Sequence, residues 1–544
     1  MGRKPPFRYD HGLQTIGSER TASMNAFIRV HEEQLFGKLT MFDRMIFRGH
    51  LTKLYCGEGA FEVFLWRQGV LLKDFGPYVK AATLGLKAHA QRAAAAEGRP
   101  YLYLAGASTK ASGHSKEELA RQIAARDGIT EGLICVLASL EPCSSFEVRA
   151  DHESQRLRVV RATRKCLHFY YYLMDREFGF MHVRLQSWFP LQIQLYVNGR
   201  EWLARQLDKR GIAYERYENS FRWIADVQQA ERIAERMAHR KWPRVLDAFA
   251  RKVNPLIPSI REACFGGYYW VLEQAEIATD LMFRDRESLG RIMPELFDHA
   301  LRSFSAEDVM RFLGRKLHGN FQGELTTDDK KRPEGRRVKH RMKRNSLKLY
   351  DKYSVLRVET TINNPREFKV FRRPSASEQS ERRWMPMGKG VANTWRYFQL
   401  GKQANLRYLE ALGRVTVKGN VIQELDRVCQ SVRKDGKRHG RLNPLSQREI
   451  AVFRAVLAGE HLINGFRNRD ICHRLVRRLS SDPVRRRRLC AKVSRLLGKL
   501  RAHGLLTKVR NSYLYRVTAQ GHRIMSACLE FHDVTFAERF LQAA

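Results

Sequence analysis

The stretch from Arg332 to Phe371 constrains this chain most. It opens as a dense run of cations, Arg336, Arg337, Lys339, Arg341, Lys343, Arg344 and Lys348, with His340 among them. Without a break it passes into residues that alternate polar and apolar. Residues 346–350 and 355–362 both show period two, the second run rich in β-branched side chains. That pattern predicts a pair of strands around Tyr350-Asp351-Lys352. Cations fixed on a sheet need an anion beside them, and the ordinary one is a phosphate backbone. Glu359 lies inside the second strand, next to Val358 and two residues from Arg357. A carboxylate in such a position is expected to be paired or to do chemistry.

The length, 544 residues, exceeds what one core holds and predicts three or four domains. The charge is the outlier: 98 Lys+Arg against 57 Asp+Glu, a net +41. Such an excess opposes compaction unless a polyanion neutralises it, and here it is spread too widely to be a tail. Nucleic acid is the expected partner, DNA first, with RNA left open; a homodimer is also left open. A membrane is excluded as partner, because no Lys-rich amphipathic anchor stands out and no apolar run reaches the roughly 18 residues that a span needs. Nine cysteines show neither CxxC nor zinc-finger spacing. They read as buried free thiols of a reducing, bacterial cytoplasm. The N-terminal MGRKPPFRYDHG lacks the apolar centre of a leader peptide.

Along the chain, 1–20 reads as disordered and 21–98 as helical, with Phe27, Ile28, Val30, Leu35 and Phe36 forming one apolar face. Residues 99–150 read as a small α/β segment. The central region, 151–374, has strands at 157–162, 166–174, 180–188 and 191–198, a large helical insert, and then the basic strand pair. The insert includes 268–283, on which Glu273, Glu276 and Asp280 would line one face of a helix. Both strand sets are expected to join one antiparallel sheet with helices packed on it. Residues 375–442 read as a helical linker. The fold class is therefore α+β, multidomain.

The segment 443–544 differs in kind. Ser446 and Glu449 form a capping box before an apolar stripe, and a short helix follows the turn at Asn464-Gly465. A long helix then carries Leu489, Val493, Leu496, Leu497 and Leu500 on one side, with Arg485, Arg488, Lys492, Arg495 and Lys499 on the other. Two short strands and a last helix complete the segment. This order resembles a winged helix-turn-helix of the MarR type. The resemblance implies a recognition helix in the major groove, a wing bearing Lys508 and Arg510, and further phosphate contacts from Arg467 and Arg469. The whole chain also resembles a multicopy bacterial family with a MarR-like C-terminus, which implies a mobile element.

Two further resemblances bear on chemistry. Lys348-Leu-Tyr350-Asp351-Lys352 followed by Arg357-Val358-Glu359 resembles rolling-circle replication initiators. That likeness implies Tyr350 as a nucleophile on a DNA phosphate, Lys348 and Arg357 as its neutralising cations, and His182 and His340 as metal ligands. The strand order at 166–217, with Asp175 at a turn, is similar to the RNase H-like fold of transposases. Strand-cutting enzymes of these kinds bring carboxylates from distant segments onto divalent cations. The expected site is therefore Asp175, Asp351 and Glu359 holding Mg2+ or Mn2+, with Tyr350 beside them. The expected function is a mobile-element protein that cuts or rejoins a DNA strand, replication-initiator-like or transposase-like. Two other functions are open: a non-catalytic winged-helix DNA-binding regulator, or an RNA-binding component of a ribonucleoprotein.

Overall fold

The structure, a computed structural model, describes residues 25–51, 54, 58–104, 115–151, 153–264, 266–314, 325–332, 335–374, 381–413, 426–434, 436–443, 446–459, 461, 465–476, 482–509 and 512–535. The expectation for 1–20, and the wing residue Arg510, lie outside them.

Among the described residues, the main body holds thirteen strands and, after them, the short pair Lys369–Arg372 with Arg383–Pro386. The thirteen are β1 (Leu35–His50), β2 (Tyr101–Leu104), β3 (Gly132–Asp151), β4 (Arg156–Asp175), β5 (Gly179–Gln186), β6 (Ile193–Asn198), β7 (Tyr214–Tyr217), β8 (Ser220–Ile224), β9 (Tyr269–Phe283), β10 (Leu325–Arg332), β11 (Gly335–Met342), β12 (Asn345–Lys352) and β13 (Val355–Ile362). Eleven of them form one open sheet in the order β10-β11-β12-β13-β9-β1-β6-β5-β4-β3-β2, and β7 and β8 make a separate hairpin. Every neighbouring pair is antiparallel except β2 and β3. The fold is thus mixed α+β around a large sheet, and the two strand sets do meet in it, with β9 and β1 at the join.

Those two joining strands correct the sequence reading, which made both helical. β1 and β9 lie at the middle of the sheet and are buried along most of their length, so neither shows simple polar–apolar alternation. In β9 the acids also mislead: a spacing of four, Glu276 to Asp280, puts two side chains on one face of a strand as well as of a helix.

The two faces of the sheet differ. One carries Phe42, Ile277, Thr279, Leu347, Leu349, Val358 and Thr360 against the helix Thr394–Leu412. A Cβ at Gly401 of that helix would sit 2.6 Å from Ile277, so the helix rests directly on β9. Asn405 donates to the Ile277 carbonyl (2.9 Å) and accepts from the Thr360 hydroxyl (2.6 Å). This helix, read from sequence as linker, is part of the main core. The opposite face carries Arg337, Lys339, Lys348, Tyr350, Arg357, Glu359, Glu276, Asp280 and Arg44, which period two places together. The β7–β8 hairpin covers one end of it, where Tyr217 stacks on Tyr353.

Residues 447–530 contribute most of a second apolar core, built around Ile450, Phe453, Ile471, Leu497, Leu500 and Met525. It holds the helices Gln447–Val456, Asn468–Leu475, Pro483–Ala502 and Ala519–Glu530, and the two-stranded pair Leu506–Lys508 with Tyr515–Val517. Ser446 caps the first helix by accepting from the Glu449 N–H, as its spacing predicts. Among the described residues no helix is long and apolar enough to cross a membrane. Seven described cysteines are free thiols; Cys56 and the Cys264 side chain lie outside the description.

Candidate nucleic-acid interface and acidic centre

The polar face is built around a break in β1. The β1–β9 register slips between Phe42 and Arg44, leaving Asp43 as an extra residue. A bulge of this kind re-aims a side chain. Phe42 therefore packs behind the sheet against Phe398 (ring centroids 5.3 Å apart). Arg44 points to the other face, onto Glu276, and Asp43 joins the acids there. The residue after β6 fits the bulge: a Cβ at Gly199 would lie 2.2 Å from the Phe42 carbonyl oxygen, so only glycine lets the helix Gly199–Asp208 start there. Asn198 caps that helix, and Arg200 in its first turn bonds Asp43 at 2.7 Å.

Three carboxylates converge. Asp43, Glu276 and Glu359 come from β1, β9 and β13, and one oxygen of each lies within 4.8 Å of the others. Arg44 forks onto Glu276 with two bonds of 2.8 Å. The Lys348 ammonium stands 2.5 Å from Glu359 and 3.3 Å from Glu276. Arg357 grips Asp280 at 2.7 and 2.8 Å and reaches Asp43 at 3.4 Å. Four carboxylates thus face four cations.

Their proton affinities diverge. Burial would raise Asp43, but Arg200 and Arg357 outweigh it and hold the group at about 2. Burial also works against Glu276, which Lys348 and Arg44 keep below the usual carboxylate range. Glu359 goes the other way: burial, aided by the charges of Glu276 and Asp43, raises it in spite of Lys348. Buried ion-pair networks and proton-exchanging sites both drive carboxylates apart in this way.

The cluster can hold a metal ion. All its donors are oxygens, which suits a hard divalent cation. The Thr361 hydroxyl, across the ladder from Glu276, is buried with no hydrogen-bond partner. The Lys348 ammonium occupies the place between two of the acids that such a cation would contest.

The expected triad is corrected. Of Asp175, Asp351 and Glu359, only Glu359 is in the cluster. Asp175 ends β4 and accepts from the Glu177 and Phe178 N–H groups (2.8 and 2.9 Å), closing the turn to β5. Five strand steps separate it from Glu359, about 24 Å at the usual spacing. Asp351 alternates to the other side of β12 from Lys348 and pairs with Arg286. Tyr350 does lie on the polar face, opposite Arg357. Its phenol is raised by burial and by the nearby Glu359 carboxylate.

The histidines are not ligands of the cluster. His340 faces the helices, fully buried, with its two ring nitrogens against Tyr408 (2.9 Å) and Thr327 (3.0 Å), and burial lowers it to about 4. His182 stacks on Tyr196, three strands from β9. Sequence reasoning had weighed Glu276 without placing it in the site. It missed Asp43 altogether, since a bulge leaves no periodic trace. The nearest signal in the sequence is the Asn198-Gly199 junction, where a strand gives way to a helix.

Period two also divides the cationic run. Arg337 and Lys339 point to the polar face with Lys348, and Arg341, exposed, follows the same alternation. Arg337 pairs with Asp328 at 2.8 Å. Burial, followed by the Lys348 charge, lowers Lys339, as expected of a cation in an electropositive setting. Arg336 alternates to the other face, over the Phe297 ring and on Asp329. Lys343 and Arg344 are exposed at the β11–β12 turn. His340 and Arg357, both buried, are removed from the expected phosphate contacts; Lys348 is nearly buried and engaged with acids.

In the C-terminal unit Arg485, Arg488, Lys492 and Arg495 are exposed along the helix Pro483–Ala502, as are Arg467 and Arg469 beside it. Lys499 is half-buried and held by Glu449 at 3.4 Å. Lys508 lies 5.5 Å from the exposed Tyr513 ring.

Comparison of the chain with family models, with curated proteins and with solved structures finds no match.

Proposed function

We propose that this chain is a mobile-element-type DNA-binding protein that cuts or rejoins one DNA strand with Mg2+ or Mn2+. The observation that carries this reading is the convergence of Asp43, Glu276 and Glu359 on a sheet face otherwise lined with cations. Asp43, Glu276 and Glu359 would hold the ion, with the Thr361 hydroxyl beside them. A bound divalent cation would stabilise charge developing on the phosphate. Displaced from its carboxylates, the Lys348 ammonium is free to meet a phosphate oxygen, with Lys339 and Arg341 extending the contact along the strand. Tyr350 is the candidate nucleophile: its oxygen would bond to phosphorus as the P–O bond to the leaving strand breaks. Its phenol gives up its proton to water as that bond forms, and the leaving strand's oxygen takes one up. The C-terminal helices and strand pair read as a winged helix that docks the protein on duplex DNA through Arg485, Arg488, Lys492 and Arg495.

A second reading, a non-catalytic regulator, has one observation in its favour. The four acids already have four cationic partners, so the cluster is complete as an ion network. Labelled single- and double-stranded DNA incubated with Mg2+ or Mn2+ separates the two. The first reading expects nicking that chelation stops and that Glu276→Gln or Asp43→Asn abolishes. Binding with no cut strand under any of these conditions supports the regulator. Co-purification of RNA in place of DNA supports a ribonucleoprotein.

A further inference from the structure

The β3–β4 hairpin outgrows the sheet. β3 and β4 pair from Gly132↔Met174 to Asp151↔Arg156. β5 pairs β4 only at His168–Asp175, and β2 pairs β3 only at Val136–Ser139. Among the described strands, residues 140–151 and 156–166 thus have no ladder partner but each other. The root of this arm is fixed: Phe146 stacks on Phe61 (4.6 Å), and Trp188 donates to the Phe146 carbonyl (3.0 Å). Val159, paired with Val148, is still buried in the core and donates its N–H to Glu62 (2.9 Å), so the projecting two-stranded ribbon runs from Arg149↔Arg158 to the tip, about 10 Å at strand spacing.

The charged side chains of the ribbon share one face, while Arg161 and Lys165, nearer the root, alternate to the other. Strand alternation puts Arg156, Arg158 and Arg164 on the same face as His168 and Tyr170, which continues the polar face of the sheet through Arg184 and Gln194 to Arg48 and Arg44. Arg149 stands directly across from Arg158. Like charges in that position repel, a cost that an anion between them would remove. Glu147 serves both Arg149 and Arg164, and Asp151 stands across from Arg156, so the arginines outnumber the acids on this face four to two. These arginines are exposed, and the described ribbon presents no exposed aromatic ring for stacking single-stranded bases.

We propose that this ribbon is a second contact for double-stranded DNA, extending the grip from the acidic centre along the flanking duplex; it rests on the proposed function above. A two-stranded ribbon fits the major groove of B-form DNA, whereas the deep, narrow groove of A-form RNA excludes it. Arg149, Arg156 and Arg158 meet the phosphates on the groove walls.

The test is the salt dependence of binding of a 30-base-pair DNA duplex, a matching RNA duplex and a single strand to the full-length protein. Arg149→Gln/Arg156→Gln/Arg158→Gln should weaken duplex DNA binding and flatten the plot of log K against log salt by about 2 to 3. Single-strand binding should not change. The triple Lys variant should keep the wild-type slope, which separates lost charge from a damaged hairpin. If the wild type binds duplex DNA and the Gln variant keeps its slope, the ribbon assignment is overturned while the central site stands. Equal losses on duplex RNA overturn the choice of DNA. A wild type that binds no nucleic acid overturns both.

Discussion

Replacing Lys348 with methionine tests the electrostatics of the centre most directly. Lys348 is shared by Glu276 and Glu359, but the two acids depend on it unequally. Glu276 keeps the two-pronged Arg44 when Lys348 is lost. Glu359, fully buried, loses its ion-pair partner. Removing one member of a buried pair costs about 3–5 kcal/mol, and Glu359, with no other ion-pair partner among the described residues, bears the larger share. Glu359→Gln should cost only about 1–2 kcal/mol, because the amide still accepts from Lys348. The double variant, with no stranded charge, should be more stable than Lys348→Met alone by about 2 kcal/mol. The effect also has a pH signature. Folded Glu359 binds its proton more tightly than an ordinary carboxyl at 4.5, so the folded state gives up stability as pH rises above that value. Loss of Lys348 raises the group further, so Lys348→Met should lose more stability at pH 8 than at pH 5. Urea unfolding at the two pH values, with a common slope, reads all four species. A Lys348→Met protein as stable as wild type at pH 8, or a double variant no better than the single, would refute the reasoning.

Three further outcomes follow from the geometry. Gly199→Ala should cost at least about 3 kcal/mol in urea unfolding and diminish metal binding, because its methyl group meets the Phe42 carbonyl at 2.2 Å and shifts the bulge that holds Asp43. Asp175→Ala should cost about 1 kcal/mol through the lost turn contacts. It should leave any metal-dependent nicking unchanged, and loss of that activity would restore Asp175 to the site. Arg485→Gln/Arg488→Gln/Lys492→Gln should weaken duplex binding and flatten its salt slope by about 2 to 3, with the urea midpoint of the main body unmoved.

How much the sequence disclosed depends on where each strand lies. β12 and β13 were legible because their alternation is strict and a tight connection separates them. β4 to β6 were legible as a meander from short apolar runs separated by turns. β1 and β9 were not: central strands covered on both sides lose alternation, and the acids of β9 stood at a spacing both periods satisfy. The site suffered accordingly. Glu359 was found from its own context, a charge among β-branched neighbours. Glu276 was seen but set on a helix, and Asp43 was invisible because its orientation comes from an insertion in the ladder. Asp351 was mistaken for a partner of Glu359 because proximity in sequence says nothing about which side of a strand is used.

An open sheet of this width invites a second copy to dock onto its margins, and the two margins of this one answer the danger differently. At one, β10 presents Asp328, Asp329, Lys330 and Lys331 in succession, so an incoming strand would meet alternating patches of like sign before it formed a single bond. At the other, β2 offers four described residues, Tyr101–Leu104, and the edge of β3 beyond it carries Glu147, Arg149 and Asp151. Both margins thus set charge or brevity against edge-to-edge pairing.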